Sequence, residues 1–153
     1  MSENKELYLK SGIFGAGLGF GFGALIGAIT GALSLSWNGV FFCLSIGAVL
    51  GLLTGALTGA ITVWTAGISG GVSTGAYTGM LFGALLGGTL GIFIPDSFRA
   101  SVASLDKIVL TVITQGRFET AVLFSFLVSI TATMVGSFIG GRNLKPRDLS
   151  KIS

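Results

Sequence analysis

The chain has 153 residues, 51% of them hydrophobic and 10% charged, with a net charge of +3 and no histidine. Soluble domains carry about 25% charged residues, so most of this surface faces something other than water. Glycine supplies 26 residues and proline two. The lack of a Gly-X-Y period excludes collagen, and the density of Leu, Ile, Val and Phe excludes a flexible linker.

Residues 1–10 form a tail with Lys5 and Lys10 beside Glu3 and Glu6. Residues 11–95 then hold no charged side chain at all. About 20 apolar residues cross a bilayer as a helix, so this stretch has room for about three crossings. The first is expected at about 11–35. Its apolar run is longer than the core of a cleaved secretory signal, so it is expected to be retained. Ser36, Trp37, Asn38 and Gly39 read as a turn, because Asn and Gly tolerate positive φ. The second span is expected at about 40–64, followed by a break over 65–71 rich in Gly, Ser and Thr. The third is expected at about 72–94, ended by Pro95, Asp96 and Ser97.

The next segment differs. Phe98, Val102, Leu105, Val109 and Val112 recur at spacings of four and three, the period of an amphipathic helix. Asp106 and Lys107 sit at its centre, which disfavours a crossing. A helix over 97–115 lying in the membrane interface is expected. The last span is expected at about 120–141, with a basic tail over 142–153.

The expected fold class is therefore all-α: a polytopic membrane protein with a four-span glycine-zipper bundle. The interfacial helix joins spans three and four, and 11–141 form a single membrane domain. Four spans put both termini on one side. Lys5, Lys10, Arg142, Lys145, Arg147 and Lys151 lie there, against Arg99, Lys107 and Arg117 opposite. The positive-inside rule makes both tails cytoplasmic, in a bacterial inner membrane by default.

Glycine recurs every fourth residue: Gly15, Gly19, Gly23, Gly27 and Gly31; Gly47, Gly51, Gly55 and Gly59; Gly71, Gly75, Gly79, Gly83, Gly87 and Gly91. The last span offers only Gly136 and Gly140. Lipid tails compete equally with Leu for apolar contact, so membrane helices gain by close packing. Bare backbones that touch add weak Cα–H···O contacts of about 0.5–1 kcal/mol each. An i+4 row also winds about 40° around its helix at each step. The third row is the longest, which predicts several neighbours for the third span and a place at the bundle centre. Thr54, Thr58 and Thr62 run beside the second row, and Thr74 and Thr78 beside the third. They are a candidate polar lining.

No acid, base, nucleophile or metal-ligand cluster accompanies these features, and the spans lack the charges that mark ion pathways. No catalytic, cofactor or metal site is expected, nor an enzyme, nor a nucleic-acid partner. Cys43 stands alone and is expected to be an inert packing residue. Four spans full of small-xxx-small spacing resemble the channel-forming subunits of mitochondrial inner-membrane protein translocases. The arginine that marks the middle of that family has no counterpart, since Arg99 and Arg117 follow the third span. The expected function is structural or assembly work in the bilayer, as a homo-oligomer or with other membrane subunits, through Gly-xxx-Gly faces. The alternative is a channel, holin-like pore or small-solute transporter.

Overall fold

The computed structural model describes residues 2–32, 37–69, 71–97 and 116–142. Every regular element among them is a helix: α1 (Ser2–Ala32), α2 (Trp37–Ser69), α3 (Val72–Phe93) and α4 (Arg117–Gly140). All four are long and apolar enough to cross a membrane. The chain thus fits a membrane protein built from helices. The proposed interfacial helix, with Phe98, Val102, Leu105, Val109 and Val112, lies outside the described residues.

The helices form two antiparallel hairpins, α1 with α2 and α3 with α4. α2 and α4 run the same way and join them. Phe42 packs with Leu123 and Phe124 near one end, and Val63 with Val135 and Ile139 near the other. α1 also reaches α4, through Phe22 against Phe138 and through the Arg142 guanidinium over the Phe14 ring at 4.3 Å. The start of α1 and the end of α4 therefore share one end of the bundle. Asp96 and Arg117 pair at 3.3 Å at the opposite end. Between Glu119 and Arg142, α4 is free of charge over about 33 Å, close to the ~30 Å hydrocarbon core of a bilayer.

Several boundaries differ from the sequence expectations. α1 begins at Ser2, so the first tail is helical, with Lys10 paired to Glu6 one turn back at 2.7 Å. Trp37, Asn38 and Gly39 belong to the first turn of α2 rather than to a turn between helices. Gly39 is buried there against Gly31, and this close approach outweighs its turn propensity. α2 also continues to Ser69 through the expected break. The chain reverses at Gly71, whose φ of +114° suits glycine.

The third span is not the centre. α2 packs on α1, α3 and α4, and α4 packs on α1, α2 and α3. The residues that α3 buries are Gly75, Gly79, Gly83, Gly87 and Gly91, and these face α4 along their whole length. A winding row does not need several neighbours when its partner winds with it. A period of four exceeds 3.6, so two such helices wrap in the right-handed sense.

Candidate functional site

Each hairpin is closed by bare backbone. A Cβ placed on Gly15, Gly19 or Gly23 would strike the carbonyl oxygen of Gly55, Gly51 or Gly47, and the converse holds for all three partners. Gly27 faces the carbonyl of Cys43, Gly31 lies 2.6 Å from Val40 Cα measured from such a Cβ, and Gly59 faces Ser11. In the second hairpin Gly75 meets Gly136, Gly79 meets Ala132, Gly83 meets Val128 and Ser129, Gly87 meets Phe124 and Gly91 meets Ala121. Gly140 returns to Gly71. The rows, expected from the sequence as packing faces for the bundle itself or for other subunits, face inward here, each against its own hairpin partner. Gly17 and Gly21 point away, and a Cβ on either would meet nothing within 4 Å.

α4 answers the α3 glycines with residues the sequence patterns did not single out. Ser125 Oγ donates to the Ala84 carbonyl at 2.9 Å, and Ser129 Oγ to the Met80 carbonyl at 3.1 Å. Both are a full turn apart on donor and acceptor helices alike. The signal was present as a second i+4 row of small residues, Ala121, Ser125, Ser129, Thr133 and Ser137. A search confined to glycine passes over it.

The five candidate lining threonines fall into two places. Thr54, Thr58 and Thr62 are buried on the side of α2 turned into the bundle. Thr54 and Thr58 each precede a glycine of the α2 row by one residue, so they sit about 100° round from the face given to α1. Thr74 and Thr78 belong to the α2–α3 junction instead. Thr78 Oγ1 lies 3.1 Å from Thr65 Oγ1 and donates to the Thr74 carbonyl at 2.7 Å.

Most hydroxyls satisfy themselves on their own helix. Thr30, Thr65, Thr89, Thr120, Thr131 and Thr133 each donate to the carbonyl four residues back. This is the usual arrangement of helical threonine. Thr58 and Thr62 depart from it. Both are 0% exposed, and neither side-chain oxygen has a hydrogen-bond partner among the described residues.

Two hollows flank the seam between α2 and α4. One is a narrow cavity of about 90 Å³ among α1, α2 and α4, lined by Ile26, Thr30, Phe42, Cys43, Leu50, Thr54, Leu127 and Thr131. The other is a lateral groove of about 720 Å³ between α2 and the second hairpin, lined by Asn38, Phe41, Ser45, Val49, Leu90, Ile94 and Pro95. Phe42, Ile46, Leu50 and Phe124 border both and form the wall between them. Among the described residues no three of His, Cys, Asp and Glu come together.

No protein-family model, curated protein or solved structure matches this chain.

Proposed function

We propose that this chain is a non-enzymatic structural or assembly protein of a membrane. Glycine zippers close its own two hairpins, and its remaining faces receive further copies or other membrane subunits. The lateral groove between α2 and the second hairpin carries this reading. It opens to the side of the bundle, its walls include the exposed Phe41 and Val49, and its volume suits the side chains of a crossing helix. Lipid tails cover a flat apolar face as well as a helix does, so association in a bilayer depends on shape. A groove and the bare Gly17–Gly21 notch supply shape.

In this reading the bilayer is the constant partner, and no cofactor, metal or nucleic acid takes part. The basic residues around Lys10 and Arg142 support cytoplasmic termini through the positive-inside rule, and a bacterial inner membrane is the location this reading takes.

The test is native mass spectrometry of the tagged chain after mild extraction from its own membrane. A stable homo-oligomer or mixed complex is expected, weakened by Ser45→Trp, which fills the groove. A monomer under all mild conditions overturns the reading.

A further inference from the structure

The α2–α4 seam is hollow in one half and solid in the other. The hollow half is the narrow cavity, which follows α2 from Phe42 to Thr54, about 18 Å at 1.5 Å per residue. At about 30 Å³ for each liquid water, a cavity of about 90 Å³ has room for about three molecules, one abreast. Its middle is apolar and its ends carry hydroxyls, Thr30 at one and Thr54 with Thr131 at the other. Thr30 and Thr131 donate their protons to Ile26 and Leu127, so they turn acceptor lone pairs to a guest.

Past Thr54 the same side of α2 carries Thr58 and Thr62. A buried hydroxyl without a partner costs about 1–3 kcal/mol. The helix offers a remedy in the carbonyl four residues back, and Thr30, Thr78 and Thr131 use it. Thr58 and Thr62 do not, and both keep a donor and acceptors for another molecule. At the same level Val63, the residue after Thr62, packs with Val135 and Ile139 and shuts the seam, with Ile139 reaching back to Gly59.

We propose that this seam is a single-file path for water, hollow from Phe42 to Thr54 and closed by the Val63–Val135–Ile139 plug. When the plug residues part, Thr58 and Thr62 bind successive waters about 6 Å apart along the helix. The path accepts water and not ions. Residues 11–95 bear no charge, and nothing along the seam offsets the cost of stripping an ion of its hydration. This inference goes beyond the assembly reading and stands whether or not the chain has partners.

The experiment reconstitutes the full chain in vesicles of phosphatidylethanolamine and phosphatidylglycerol. Osmotic shrinkage is followed by stopped-flow light scattering, and potassium efflux is followed in the same vesicles. Val135→Ala thins the plug and is expected to raise water permeability several-fold over empty vesicles. Adding Thr58→Val and Thr62→Val, which keep shape and remove the hydroxyls, is expected to return it towards the empty-vesicle rate. Potassium efflux is expected to stay at background throughout. Should Val135→Ala fail to fold, Val63→Ala thins the plug from the other helix. The proposal is overturned if both thinned plugs shrink like empty vesicles, if the valine pair leaves the rate unchanged, or if potassium flows with the water.

Discussion

Gly19 of α1 and Gly51 of α2 meet backbone to backbone, so that a Cβ on either would strike the carbonyl oxygen of the other. The next atoms in line are also backbone: Gly55 Cα lies 2.8 Å from a Cβ at Gly19, and Gly23 Cα 2.9 Å from one at Gly51. No side chain can swing aside to make room. Gly19→Ala must therefore part the helices, at a cost of about 1–3 kcal/mol by analogy with other overpacked cores. Gly17→Ala is the matched control, because it adds the same methyl to the same helix in open space. It is expected to be neutral or to gain up to about 1 kcal/mol from helix propensity. Titration of the folded chain with SDS checks both. Equal midpoints for the two variants would show that the bare contact does not hold the first hairpin.

The second hairpin is as tight, although Gly79, Gly83, Gly87 and Gly91 face residues with side chains. A Cβ at Gly79 would lie 2.6 Å from Ala132 C and 2.9 Å from Thr133 N. A leucine there must push α3 off α4 and break the hydrogen bond from Ser129 to the carbonyl of Met80, the next residue. Gly79→Leu is expected to abolish the native elution volume and to lower membrane yield. At Gly88 the nearest atom, Ser125 Cβ, is 4.0 Å away, so Gly88→Ala should elute as the wild type does. Wild-type yield and size for Gly79→Leu would remove α3–α4 contact as a requirement for folding.

Four apolar helices were legible in the sequence because charge is excluded from a bilayer and 85 uncharged residues leave few alternatives. Pairing was less legible. The i+4 period shows that a glycine face is packed, but not whether its partner is in the same chain. Gly27 illustrates the limit, since it faces the carbonyl of Cys43 and not another glycine. Backbone approach needs one bare partner and a tolerant opposite number. Gly39 shows the converse: a residue with turn propensity sits in the first turn of a helix when burial against Gly31 decides. The threonines were visible as a row, yet their division between the α2–α4 seam and the α2–α3 junction depends on helix rotation. Periodicity within one helix carries no information about that.

Ser125 and Ser129 test how much of the second hairpin rests on side-chain hydrogen bonds. Their acceptors, the carbonyls of Ala84 and Met80, belong to a continuous helix. Removing the serine hydroxyl therefore does not orphan the acceptor, and the loss is that of the added bond alone. Interhelical bonds of this kind in membranes average about 0.6 kcal/mol. Ser125→Ala and Ser129→Ala are each expected to lower stability by about that much, and the double variant by about 1 kcal/mol. SDS titration reads the values. A loss several times larger in either single variant would mean that the serine sets helix spacing as well as bonding.

Ile139 and Leu85 separate packing from apolarity in this chain. Ile139 of α4 is 2% exposed and packs against Val63 and the Gly59 backbone, its Cδ1 3.1 Å from a Cβ placed on Gly59. Leu85 is 71% exposed on α3, on a face that a bilayer would cover with lipid tails. In water both truncations to alanine would lose the transfer energy of the removed methylenes. In a bilayer that part is nearly absent, because lipid is as apolar as the protein interior. What remains at Ile139 is the void left behind. At about 24 cal/mol per Å³ and a void of about 80 Å³, Ile139→Ala should cost about 2 kcal/mol. At Leu85 lipid fills the space, and Leu85→Ala should change stability by less than about 0.5 kcal/mol. SDS titration of both in the same lipid mixture decides it. A comparable loss at Leu85 would mean that this face of α3 is covered by protein and not by lipid.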